Sequence, residues 1–336
     1  MDDPAGALDR AAAETDFSGV VRVDVDGTVV LERAYGMADR AHRIPNTVDT
    51  RFGIASGTKG LTALTVVSLV EDGRLDPATT ARSLLGDDLP MVDDGVTVEH
   101  LLAHRSGIGD YVDEESDLDV DGYVLTVPVH ELATTEQYVR VLDGRPSKFP
   151  PGERFSYSNS GYVLLALLAE RATGTPFADL VDERVCRPAG MAATAFLRSD
   201  ELPGDAAVGY LTPDQPRTNV FHLPVRGSGD GGIYSTAADV HALWSSFLAG
   251  RIVSPGWVAE MVRPRSDVPS EGMRYGLGLW LHESRDTVRL EGWDAGVRFR
   301  SETDPARRST WTMLSNTTVA RAFSRLLDEL VEQLVT

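Results

Sequence analysis

Apolar and polar positions change rhythm along the chain, and each rhythm predicts an element. Residues 19–35, GVVRVDVDGTVVLERAY, alternate on either side of Asp26-Gly27. A period of two interrupted by Asp-Gly predicts an antiparallel hairpin, because that dipeptide accepts the left-handed backbone of a tight turn. From Thr58 to Val70 the apolar run TKGLTALTVVSLV, closed by Asp72-Gly73, predicts a buried helix with a glycine stop. TVEHLLAHRSGI (97–108) and SNSGYVLLALLAERATG (158–174) predict two more helices, the second after a Pro150-Pro151-Gly152 break. Further on, YGLGLWLH (275–282), TVRLE (287–291), VRFRS (297–301) and STWTMLS (309–315) predict short strands, and a last helix is expected over about 319–335. Strands at both ends with helices between them predict an α+β fold. Its antiparallel sheet comes from both termini and is flanked by helices, and a mainly helical lobe is inserted in the chain.

Composition narrows the class. At 336 residues the chain suits one large domain or two closely joined lobes. A net charge of −19 argues against nucleic acid and anionic membrane surfaces as partners. No run is apolar for long enough to span a membrane. The start, MDDPAG, lacks the basic-then-apolar order of a secretory leader. That predicts a cytoplasmic protein, or one whose leader has been removed and which is then extracellular. The single cysteine, Cys186, excludes an intrachain disulfide and reads as a packed thiol. No His, Cys or carboxylate cluster has metal-ligand spacing, so neither a metal nor a cofactor is expected.

Candidate chemistry begins with the scarcity of lysine. Only Lys59 and Lys148 occur, against a large excess of arginine. Lys59 stands three residues after Ser56 at a predicted helix start, which puts both side chains on one face. Arginine keeps its proton, whereas a desolvated lysine can lose it, so Ser-x-x-Lys can pair a nucleophile with an amine base. The same residues also suit a plain helix start, with Ser56 as N-cap and Lys59 exposed.

Several segments together separate these readings. GIASGTKGLTAL, LLAHRSGI, FPPGERFSYSNSGYVLLALLAERATG, GDGGIYSTAADVHAL and YGLGLWL occur in this order. Over roughly residues 17–330 the chain resembles the serine β-lactamase-like hydrolases, closest to their class C β-lactamase, D-Ala-D-Ala carboxypeptidase and esterase branch. The resemblance implies a β-lactamase/penicillin-binding-protein-like fold. Residues 1–55 and 235–336 would form its sheet lobe, 56–234 a mainly helical lobe, and the active site would lie at their interface. It also implies an acyl-enzyme at Ser56, with Lys59 and Tyr157 sharing the proton transfers. Asn159 would bridge Lys59 and a small-molecule or peptide substrate. A phenol is a weak base unless cations lower its pKa, so Lys59 is expected to lower that of Tyr157. Tyr157 and Asn159 also fit a helix-entry loop whose capping residue is Ser158 or Asn159. His104 and Ser106 are expected to hold a turn. The sequence leaves the oligomeric state open.

One departure stands out. Where the family carries Lys-Thr-Gly or His-x-Gly, the chain reads Leu290-Glu291-Gly292. The basic group that meets a substrate carboxylate is therefore missing, although the amides of Ser56 and Trp293 still suit an oxyanion cradle. Alternation puts Leu290 and Glu291 on opposite faces and does not say which faces the site. The acidic stretch 110–123 is either a solvated loop or a rim of the pocket that disfavours anions. These features predict a hydrolase of an ester or amide that need not be anionic. A D-amino-acid peptidase or weak β-lactamase, and a binding module whose catalysis has decayed, are the alternatives.

Overall fold

The computed structural model describes residues 4–115, 122–318 and 321–334. Its frame is an antiparallel sheet of eight strands. These are β1 (Gly19–Val25), β2 (Thr28–Tyr35), β3 (Ser266–Val268), β4 (Met273–Tyr275), β5 (Trp280–His282), β6 (Val288–Asp294), β7 (Val297–Asp304) and β8 (Ser309–Ser315). Their order is β2-β1-β8-β7-β6-β5-β4-β3, so the first hairpin joins the last strand and both chain ends build one sheet. The β1–β8 register runs from Gly19 opposite Ser315 to Val25 opposite Ser309. At the β1–β2 turn both Asp26 (φ 52°) and Gly27 (φ 74°) are left-handed, as the Asp-Gly signal requires.

Helices cover both faces. On one lie α1 (Pro4–Glu14) and the C-terminal α6 (Arg321–Leu334), where Leu8, Phe323 and Leu327 meet Val21, Val23, Trp311 and Met313. On the other lie α2 (Thr58–Glu71), α4 (Asn159–Thr173) and α5 (Ala237–Leu248). There Leu61, Leu64, Leu164, Val240 and Trp244 share a core with Val20, Leu290, Phe299 and Leu314. Each such buried side chain contributes roughly 1.5–3 kcal/mol through its removal from water. In α2 every residue from Thr58 to Leu69 is buried, which explains a run without polar alternation. Ser158 caps α4 by accepting from the Gly161 amide at 3.0 Å, and left-handed Gly174 (φ 73°) ends it.

Two expectations are corrected. The stretch 275–282 is two strands, β4 and β5, because Gly276–Leu279 forms a turn containing Gly278 at φ 79°. The helix expected over 97–108 stops after α3 (Val98–Leu102), since His104 is left-handed (φ 54°) and turns the chain towards the cavity. The last helix spans Arg321–Leu334, and positions 319, 320 and 335 of the expected range lie outside the described residues. Among the described residues no helix is long and apolar enough to cross a membrane.

Candidate active site

A cavity of about 1160 Å³ opens between the turn before α2, the start of α4 and β6, and Ser56, Tyr157, Asn159, Glu291, Gly292 and Trp293 all line it. Ser56 sits in a 3-10 turn (Ala55–Gly57) that leads directly into α2. The turn is sharp: Ala55 holds φ 44°, a left-handed conformation that costs a non-glycine residue of order 1–3 kcal/mol. It projects the Ser56 hydroxyl into the cavity and leaves Lys59 one turn below, 2% exposed.

Three acceptors surround the Lys59 nitrogen: Ser56 Oγ at 2.9 Å, Asn159 Oδ1 at 2.7 Å and the Asp230 carbonyl oxygen at 2.8 Å. Asn159 and Asp230 offer only lone pairs there, so they take two N–H bonds. On a neutral amine the third direction, towards Ser56, is then the nitrogen lone pair. Burial lowers the Lys59 pKa, while Asp230, Glu114, Asp110 and Asp294 pull it back up. Asn159 is itself fixed, because its Nδ2 donates to the Val112 carbonyl oxygen at 3.0 Å and to Glu114 Oε1 at 3.1 Å. Asp110 accepts from the Asn159 amide at 2.7 Å and the Ser160 amide at 3.0 Å, tying its loop to the start of α4.

Tyr157 is half-buried, lines the cavity with Ser56, and has Lys59 Nζ 4.9 Å from its ring centre. The expected lowering of its pKa is overturned. Burial first, then Glu114 and the Tyr275 phenol, push it well above the ordinary value. The reason is that carboxylates and desolvation both penalise a phenolate. The Tyr157 phenol therefore keeps its proton at rest. His104 accepts from the Ser158 amide at 3.0 Å, and its ring centre lies 4.4 Å from that of Tyr157 at a tilt of 36°. Burial holds its pKa well below the ordinary value, so it serves as a neutral support for the turn. Cys186 is buried with its thiol pushed up to about 12, which suits packing rather than chemistry.

On the β6 side, Gly292 passes against the nucleophile turn. A Cβ there would lie 2.2 Å from the Ile54 carbonyl oxygen and 2.9 Å from the Ser56 nitrogen. Leu290 is buried against α2, where a Cβ on Gly60 would come within 2.4 Å of it. Glu291 faces the cavity instead, joined to Arg298 by a short contact and 3.6 Å from Arg289. The acidic stretch is more than a solvated loop: Glu114, Glu115 and Tyr123 line the cavity, while positions 116–121 lie outside the described residues.

Sequence reasoning gave no role to Asp230 or Asp294. Asp230 is buried, shares a short hydrogen bond with the Tyr111 phenol, and holds Lys59 through its carbonyl. Asp294 lines the cavity, and desolvation pushes its pKa up to about 7. The available signal was the glycine crowding of GSGDGG. A Cβ at Gly229 would lie 2.1 Å from the Tyr162 carbonyl oxygen, the mark of a segment wrapped tightly around something.

A Ser-x-x-Lys turn docked against β6 of the antiparallel sheet is an arrangement of the β-lactamase and penicillin-binding-protein type. The family model described as Beta-lactamase matches residues 6–335, and the chain belongs to that family. It is 33% identical over 334 residues to Esterase EstB of Burkholderia gladioli, covering 90% of this chain and 80% of the esterase. It is 32% identical over 292 residues to a D-aminopeptidase of Brucella anthropi, covering 83% of this chain and 52% of that protein. The chain thus spans about half the length of that D-aminopeptidase, and 63% of two Bacillus subtilis proteins named as penicillin-binding proteins. Among solved structures, the penicillin binding protein from Bacillus halodurans superposes with a TM-score of 0.89 at 32% identity, covering 96% of this chain and 99% of that one.

Proposed function

We propose that the protein is a serine hydrolase that forms an acyl-enzyme at Ser56 on an ester or amide. The observation that carries this is the Lys59 nitrogen, buried and 2.9 Å from Ser56 Oγ, with two of its three bonds taken by pure acceptors. In the first step Ser56 Oγ attacks the substrate carbonyl carbon and its proton passes to the Lys59 amine. The amides of Ser56 and Trp293 form the proposed cradle for the oxyanion, drawn together by the close approach of Gly292. Collapse of the tetrahedral adduct breaks the bond to the leaving group, which takes a proton from the Tyr157 phenol. The phenol recovers that proton from the Lys59 ammonium. Water then attacks the acyl carbon and gives a proton to the Lys59 amine. The bond from the acyl carbon to Ser56 Oγ breaks as Oγ takes a proton back from the Lys59 ammonium. On this proposal the site is the seam between a sheet lobe (1–55 and 235–336) and a mainly helical lobe (56–234).

The test is labelling by a fluorophosphonate, with mass spectrometry locating the adduct. Modification of Ser56, lost in Ser56→Ala, is expected; equal labelling of that variant removes the proposal, and a catalytically decayed binding module becomes the better reading. A second reading, a D-amino-acid peptidase, draws support from the acids around Lys59. Glu114, Asp230 and Asp294 suit a substrate ammonium better than a substrate carboxylate. Release of ammonia from D-phenylalaninamide, absent with its N-acetyl derivative, favours that reading, whereas turnover of short-chain nitrophenyl esters alone rejects it. Hydrolysis of nitrocefin at a comparable rate would instead support a weak β-lactamase.

A further inference from the structure

We propose that Glu291 is a built-in carboxylate that occupies Arg298 and so excludes substrates bearing a carboxylate of their own. The proposal rests on the acyl-transfer reading above and specifies which substrates that site refuses. On the face of the β6–β7 pair that carries Glu291, the register sets Glu291 opposite Arg300, Trp293 opposite Arg298, and Arg289 opposite Glu302. Three arginines thus meet two glutamates on the strand pair that packs against the nucleophile turn. Arg289 and Arg300 are already engaged by Glu302, at 2.6 and 2.5 Å. Arg298 is in short contact with one oxygen of Glu291, whose other oxygen lies 3.6 Å from Arg289.

Arg298 and Glu291 both line the cavity that holds Ser56, and Glu291 is joined directly to Gly292, which abuts the Ser56 amide. Their side chains are 11% and 27% exposed, so water screens the pair only in part. A guanidinium in such a place is a strong receptor for a carboxylate, because the bonds are charge-assisted and can be bidentate. Here the chain supplies that carboxylate itself. An incoming anion must displace Glu291 and then sit beside it, and both steps oppose binding. A neutral acyl donor meets neither penalty.

The test is calorimetric binding of Nα-acetyl-D-alanyl-D-alanine and of its C-terminal methyl ester, in a Ser56→Ala background so that no turnover intervenes. Replacement by Glu291→Gln is expected to raise the acid-to-ester affinity ratio by about tenfold, the scale of one charge-assisted bond. Glu291→Ala, which removes the acid with a different packing change, is expected to act in the same direction. Adding Arg298→Gln to Glu291→Gln is expected to return the ratio to its starting value. A ratio unchanged within about twofold in both Glu291 variants overturns the proposal, as does a gain that survives loss of Arg298, or no detectable acid binding in any variant. Fluorophosphonate labelling of Ser56 is read separately. Labelling with an unchanged ratio defeats only this inference, and absent labelling defeats only the acyl-transfer reading.

Discussion

The two walls of the cavity treat charge in opposite ways. Around Lys59, one amine is stripped of water and held by neutral groups, the Asn159 amide oxygen, the Asp230 carbonyl and the Ser56 hydroxyl. Along β6 and β7, each cation meets a carboxylate directly: Arg298 meets Glu291, and Arg289 and Arg300 meet Glu302. The physics of each arrangement differs. Desolvation without a directly bonded counter-ion lowers an amine's pKa and creates a base. Ion pairing fixes the protonated state and creates a wall whose charges are cancelled. Scarcity of lysine matters on the first wall, and abundance of arginine on the second, because arginine does not give up its proton.

Removing the titratable amine is the strongest way to break this contrast. Lys59→Arg puts a group suited to the second wall onto the first. Acylation of an activated ester should fall about 10³-fold, nearly as far as in Lys59→Ala, because general-base assistance is worth roughly 10²–10⁴. Stopped-flow acylation rates check it, and activity within tenfold of the parent would mean that only the charge of Lys59 matters. Next in size is Gly292→Ala, which strikes the point where the two walls touch. Its Cβ would meet the Ile54 carbonyl oxygen at 2.2 Å, and backbone can yield only by moving the strand from the nucleophile turn. An expected loss of about 10² in kcat, the scale of one oxyanion donor, is read from steady-state ester hydrolysis with folding followed by circular dichroism.

The smallest effect concerns pH. Asp294 has its pKa pushed up to about 7, so it is ionised above that pH and there helps to raise the pKa of Lys59. Activity that needs the neutral amine rises with pH through the Lys59 pKa. Asp294→Asn removes the carboxylate, lets the amine lose its proton more readily, and should move the rising limb of the kcat/KM profile to lower pH. A limb that stays in place or moves upward would show that Asp294 does not act on Lys59.

Much of the frame was legible in the sequence because local signals and the fold agree. STWTMLS became β8 over Ser309–Ser315, and Asp26-Gly27 became the β1–β2 turn. Ser158 and Gly174 marked the ends of α4. Elements failed where tertiary contacts override a local pattern. Leucine and glycine alternate in YGLGLW as a strand would, yet Gly276 and Gly278 make the turn between β4 and β5. In the site, Ser56 and Lys59 share one turn and could be paired from spacing alone. Asp230 and Glu114 act on Lys59 from positions distant in sequence, and no periodicity connects them. The rise in the Tyr157 pKa was hidden for the same reason: it comes from burial and from carboxylates that only folding brings near. Leu290 and Glu291 could be placed on opposite faces but not assigned, because the face that meets α2 depends on Gly60, which leaves room for the leucine.

With only Lys59 and Lys148 in the chain, the protonation of the amine beside Ser56 can be read directly. Selective 15Nζ-lysine labelling should give two side-chain signals, and the one that disappears in Lys59→Arg is the amine in question. Followed by NMR against pH, that signal should titrate below the ordinary lysine value of 10.5, as desolvation dictates. A signal that stays protonated up to or beyond that value would contradict a neutral amine as the base for Ser56.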